Sequence, residues 1–73
     1  MDDRQEKVKE LRKEYPRGTR VQMVSDMDDI QAVPVGSIGV VTGVDDFGTI
    51  HVNWETGSSL GIIPEFDQFR KLQ

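Results

Sequence analysis

Three aspartates stand close together at Asp26, Asp28 and Asp29, and clustered carboxylates are what a hard cation such as calcium requires. A calcium loop of the helix–loop–helix type opening at Asp26 would need glycine where Gln31 stands and glutamate where Ser37 stands; it has neither. The same residues suit a solvated loop whose aspartates close turns through their own side chains, so no metal or cofactor is assigned. His51 is the single histidine. It falls on the strand face opposite Ile50 and Val52, with neither a cysteine nor a fixed carboxylate partner in view. Ser58 and Ser59 follow a glycine, yet no nucleophile elbow with an ordered triad surrounds them. A barrel this small leaves little room for a substrate pocket of roughly 300 Å³. The chain is read as a non-enzyme.

The aromatic residues offer a different chemistry, that of binding. Tyr15, Phe47 and Trp54 are the candidate partner-binding residues. Trp54 shares a strand face with Ile50 and Val52, which favours a place in the core; the other reading is a rim of aromatics along a groove for an extended peptide. Phe47 falls at a hairpin tip, where an apolar side chain either folds back over the end of the sheet or meets a partner.

These residues must be positioned by short, glycine-punctuated elements. Asp2 and Asp3 precede a stretch, Arg4 to Tyr15, that lacks glycine and proline and is rich in helix formers. Its apolar stripe is only Val8, Leu11 and Tyr15, enough to dock on another surface but not to form a core. Pro16 and Gly18 end it. Thr19 to Ser25 reads as a first strand, Asp26 to Ser37 as a long connection, and Val40 to Val44 as a second strand. Asp45 to Gly48 forms a compact turn, with the glycine at the positive-φ position. Thr49 to Trp54 alternates cleanly. Glu55 to Gly57 forms another hairpin turn, Ser58 to Ile63 a fourth strand, Pro64 to Gln68 a single helical turn, and Arg70 to Leu72 a closing strand.

The pattern predicts a mainly β fold: a small SH3-like five-stranded barrel, residues 18–73, preceded by an N-terminal α-helix, residues 1–15, in one domain spanning residues 1–73. Closure would remove the exposed edges of a small sheet. The expected core is Val21, Met23, Ile38, Val41, Val44, Ile50, Val52, Trp54, Leu60, Ile62, Phe66 and Phe69.

Charge narrows the partners. The chain has 73 residues and a net charge of −4, unevenly spread. Residues 1–20 hold seven basic side chains against five acidic ones, whereas residues 21–73 hold eight acids against Arg70 and Lys71 alone. Nucleic-acid affinity comes mostly from cations that neutralise phosphates, and the expected barrel has almost none. An accessory nucleic-acid-binding role would therefore fall to Lys9, Arg12, Lys13 and Arg17 of the N-terminal segment, and is the alternative reading. The chain has no cysteine, which fits a reducing compartment. No apolar run reaches the roughly 18 residues of a membrane span, and the first residues are charged. A cytoplasmic protein with no membrane partner is expected, either a monomer or a weak homodimer.

YPRGTRV at Tyr15 to Val21, the Asp-rich loop, PVGSIGVVTGVDDFGTIHVNW at Pro34 to Trp54 and GSSLG at Gly57 to Gly61 together resemble DUF4314, a domain family of unknown function found in bacteria, phages and mobile elements. The resemblance runs from about Tyr15 to Lys71, and VDDFGTIHVNW is its most specific block. The family pattern leads one to expect Trp-Asp-Asn-Gly where this chain has Trp54-Glu55-Thr56-Gly57, and glycine where it has Glu65. These departures alter loop chemistry rather than the sheet. A weaker likeness exists to KOW-type and other SH3-like modules, which carry a glycine-x-valine lead into the second strand. The resemblance implies a host–mobile-element setting and assigns no activity; an uncharacterised small protein-interaction module with a protein partner is the reading of the residues themselves.

Overall fold

The computed structural model describes residues 3–25 and 33–72. Helix α1 (Asp3–Glu14) is followed by four strands: β1 (Arg20–Met23), β2 (Ile38–Val44), β3 (Ile50–Trp54) and β4 (Phe69–Lys71). They form one antiparallel sheet in the order β3-β2-β1-β4. The Asp26, Asp28 and Asp29 cluster lies outside the described residues.

The helix begins and ends where its chemistry requires. Asp3 and Glu6 lie in the first turn and Arg12 and Lys13 in the last, each sign suited to its end of the helix dipole. Past the last turn, the Lys71 ammonium donates to the Glu14 carbonyl at 2.6 Å, satisfying one of the acceptors that a helix C-terminus leaves open. Gly18, at φ 96°, then reverses the chain, and its N–H donates to the Val41 carbonyl at 2.8 Å. The thin stripe docks as expected: Val8 is buried, while Leu11 and Tyr15 pack half-buried against the core.

The sheet buries one face. Strand β3 alternates strictly, with Ile50, Val52 and Trp54 inside and His51 and Asn53 outside. Strand β2 could not match it by simple alternation, because Val41 and Val44 are three apart. A bulge at Thr42 resolves this: Val41 pairs with Val52, but Gly43 pairs with His51 and Val44 with Ile50. The inserted residue returns Val44 to the inner face and bends the strand. Val21, Met23, Val33, Val41, Ile50, Val52, Trp54 and Ile62 form the core, each contributing about 1.5–3 kcal/mol relative to exposure. The Trp54 indole N–H donates to the Leu60 carbonyl at 2.8 Å, so the buried ring leaves no orphan donor.

Several sequence expectations are corrected. Among the described residues the sheet has four strands and is not closed into a five-stranded barrel. Ser58 to Ile63 is not a strand: it lies beside β3 and touches it through one bridge, Ile50 with Ile62, and a Trp54 N–H to Ser58 carbonyl bond. Gly57, Ser58 and Ser59 supply too little apolar surface to hold a full ladder. Phe66 is 80% exposed rather than in the core, because the turn closed by Phe66 N–H and Asp67 N–H to the Ile63 carbonyl carries its ring outward. Ile38 is only half-buried. Val8 and Val33 complete the core in place of these residues. The closing strand is Phe69–Lys71, one residue earlier than expected.

Gly39 is required by packing rather than by backbone conformation. A Cβ there would collide with the Val52 side chain and come within 2.8 Å of the Trp54 ring. Gly39→Ala is expected to lower the free energy of unfolding by about 1–3 kcal/mol. Gly43→Ala, where a Cβ meets nothing within 4 Å, should be neutral or raise it by up to about 1 kcal/mol. Urea unfolding of the two variants checks this, and equal losses would refute the close-approach explanation.

Candidate interaction surface

The candidate site is built on the β2–β3 turn, Asp45-Asp46-Phe47-Gly48. Asp45 organises it. Its Oδ1 accepts the N–H of Phe47 at 2.9 Å and that of Thr49 at 3.0 Å, and its Oδ2 meets His51 Nε2 at 2.9 Å. Main-chain bonds from Asp45 N–H to the Thr49 carbonyl and from Gly48 N–H to the Asp45 carbonyl complete the turn. Gly48 takes φ 85°, a conformation that costs a side chain dearly. These bonds lower the Asp45 pKa from its ordinary value; the His51 hydrogen bond is the largest cause, followed by the Thr49 amide.

His51 therefore has the fixed carboxylate partner that the sequence did not reveal. The signal lay in the hairpin register. Asp45 faces Thr49 across the turn, and His51 lies two residues further along β3, on the same side of the strand. His51 is exposed, and with Thr49, Ser58 and Ser59 it lines a shallow, open depression rather than a cavity. The Ser58 hydroxyl accepts the Leu60 N–H at 3.1 Å. Among the described residues, no group of three or more His, Cys, Asp or Glu side chains could hold a metal ion. Among them, too, no helix is long and apolar enough to cross a membrane.

While Asp45 takes the Phe47 and Thr49 N–H groups, the Phe47 ring is left 80% exposed. Helix α1 fixes its surroundings. Arg12 Nη2 pairs with Asp46 Oδ1 at 2.9 Å and Arg12 Nε donates to the Val44 carbonyl at 3.1 Å, holding the helix on the turn. The exposed ion pair contributes no more than about 1 kcal/mol, and the apolar contact of Val8 and Leu11 beside Gly48 does the rest. Phe47, Leu11, Ile63 and Pro64 then form the apolar part of a groove of about 290 Å³, edged by Arg4, Lys7, Glu10, Glu14 and Glu65. Ile63 is itself 46% exposed.

The other two aromatics lie elsewhere. Trp54 is a core residue, 3% exposed. Tyr15 is half-buried, tilted against Phe69 at a ring separation of 5.3 Å, with the Lys71 ammonium 5.6 Å above its ring. Burial first, then the Glu14 charge and hydrogen bond, raise the Tyr15 pKa. Tyr15 thus clamps the end of α1 to β4. Phe47 alone of the three aromatics points into the groove, and Ile63 and Pro64, which sequence reasoning assigned to a strand end and a turn, are its neighbours there.

The family described as Domain of unknown function (DUF4314) matches residues 4–72, and the chain belongs to it. No curated protein and no solved structure matches the chain.

Because the Asp45 carboxyl is more acidic folded than unfolded, its contribution to stability is present above its unfolded pKa. It is lost as pH falls through the lowered folded value. In an NMR pH titration the Phe47 and Thr49 amide signals should move together with a midpoint below the ordinary 3.8. In His51→Ala that midpoint should rise toward the ordinary value. An unchanged midpoint in the variant would remove His51 as the main cause.

Proposed function

We propose that this member of the DUF4314 family is a small protein-interaction module that binds through the groove beside Phe47. One observation carries the reading: a phenylalanine 80% exposed at the tip of a turn that the Asp45 carboxylate already holds through the Phe47 and Thr49 N–H groups. Turn residues are ordinarily polar, and an exposed apolar side chain next to further exposed apolar surface is a common mark of an interface. The ring has no packing role, so its presence is best explained by something it meets. The acidic surface beyond the helix favours a partner with basic character at the rim, where opposite charge speeds association more than it strengthens it.

The curved sheet is read within this proposal as an incomplete SH3-like barrel, with Ser58 to Ile63 standing where a fifth strand would close it. The paired bonds between Ile50 and Ile62, at 2.9 and 2.8 Å, support that reading. A cytoplasmic setting belongs to the same proposal, supported by the absence of cysteine. The nucleic-acid alternative has less in its favour. Arg12 is engaged by Asp46, and Glu6, Glu10 and Glu14 share the helix with Lys9 and Lys13, diluting the field a phosphate would experience.

A photo-reactive benzoylphenylalanine placed at Phe47, with the same residue placed at Phe66 as a control, tests the proposal in the native host. Phe66 is equally exposed but does not line the groove. Protein adducts are expected at Phe47 well in excess of those at Phe66. Equal yields at both positions would discard the groove. Amide shifts confined to Lys9, Lys13 and Arg17 on titration with DNA or RNA at low salt would instead favour the nucleic-acid role.

A further inference from the structure

The charges along the groove run against the helix that carries them. Macrodipole energetics favour acids in the first turn of a helix and bases in the last, and Asp3, Glu6, Arg12 and Lys13 obey this. The residues of α1 that edge the groove are sorted in the opposite sense, with Lys7 and Glu10 in the middle turns, where the dipole has little effect. Arg4 and Lys7 stand toward its N-terminus, and Glu10 and Glu14 toward its C-terminus. Lys7 and Glu10 take part in no ion pair among the described residues. Glu14 also meets Tyr15 within the chain.

Reversed polarity across an apolar centre is what self-association about a two-fold axis uses. In such an interface the same patch meets itself with its direction inverted. With the axis crossing α1 between Glu10 and Leu11, Lys7 of one copy stands opposite Glu14 of the other, and the reciprocal pair forms on the far side. Lys7 and Glu14 are seven residues apart, about 10 Å along the helix, and Leu11 lies between them. Each Phe47 ring is then brought to the Leu11, Ile63 and Pro64 surface of the opposite copy. A parallel arrangement would set Lys7 near Lys7 and Glu14 near Glu14, so the charges select the antiparallel one.

We infer that the occupant of the Phe47 groove is a second copy of this chain, docked about a two-fold axis with the α1 helices antiparallel and Lys7 paired with the partner's Glu14. This rests on the groove being an interaction site and names what fills it. The interface is small, with a modest apolar centre, so association belongs in the micromolar-to-millimolar range typical of weak homodimers.

Sedimentation equilibrium of the purified full chain, at concentrations spanning that range, tests it. Wild type is expected to show a monomer–dimer equilibrium. Phe47→Ser, Lys7→Glu and Glu14→Lys should each weaken it by on the order of tenfold, with unchanged far-ultraviolet circular dichroism showing that the fold is intact. The decisive measurement mixes the two charge variants: a Lys7→Glu chain with a Glu14→Lys chain restores both ion pairs of a two-fold dimer, so the mixture should associate like wild type. Monomer throughout the range overturns the inference, as does a mixture that associates no better than either variant alone. Should Phe47 cross-link a different protein in the host while the pure chain stays monomeric, the second-copy assignment falls and the interaction site stands. If Phe47→Ser also leaves cross-linking from a neighbouring groove position unchanged, both fall.

Discussion

A bend in one strand is the constraint on which the rest of this structure depends. A chain of 73 residues buries only about 60% of the surface it exposes when unfolded, and with no cysteine it has no disulfide to add. Its apolar residues must therefore converge on a single layer. Strand β2 can contribute both Val41 and Val44 to that layer only because Thr42 is extruded as a bulge. The same bulge turns the strand toward the helix and brings the β2–β3 turn over Val8 and Leu11. Gly39, two residues before Val41, makes the complementary adjustment by leaving room for the Trp54 ring. Bulge and glycine together let a short sheet wrap a tryptophan.

The helix is held by a few contacts spread along its length rather than by a broad apolar face. Val8 and Leu11 meet the turn at Gly48, Arg12 reaches Val44 and Asp46, and Tyr15 lies on Phe69 with Lys71 above it. Three of these anchors belong to β2 and its turn and two to β4, so α1 bridges the sheet from its middle to its edge. An isolated helix of twelve residues is marginal in water, and these anchors supply what its own stripe lacks. They also fix Lys7, Glu10 and Glu14 relative to Phe47, which makes the groove a defined surface.

Much of this was legible in the sequence, and what was not has physical causes. The helix, the Val8–Leu11–Tyr15 stripe, the two glycine turns and the alternation of β3 were readable because each rests on local rules: capping, periodicity and positive φ. The sheet's openness was not readable. Ser58 to Ile63 has the alternation of a strand, but whether it pairs along its length is decided by neighbours rather than by its own pattern. Phe66 was misplaced for a related reason: in a turn, the direction of a side chain depends on one or two main-chain bonds, here those made to the Ile63 carbonyl. The Asp45–His51 contact joins residues six apart that the turn closed between Asp45 and Thr49 brings to one side, which periodicity alone does not encode. Of the candidate aromatics, strand alternation placed Trp54 correctly in the core, while for Phe47 the sequence left open both burial and exposure.

The division of labour around Asp45 decides between the two readings that the sequence left open for Phe47. One carboxylate takes the Phe47 and Thr49 N–H groups and binds His51 as well. Its three contacts make the turn rigid without any help from the phenylalanine side chain. A turn stabilised in this way would tolerate serine or asparagine at its tip, where they would cost no apolar exposure and would suit the local geometry better. Instead it holds a large ring in water beside Ile63 and Leu11, at the edge of a helix whose groove face carries Lys7 and Glu10 without an ion pair among the described residues. The exposed ring is unfavourable for the isolated chain, and the charges lie on the same surface. A cost of this kind, flanked by charges of both signs, is most economically explained by a contact that offsets it.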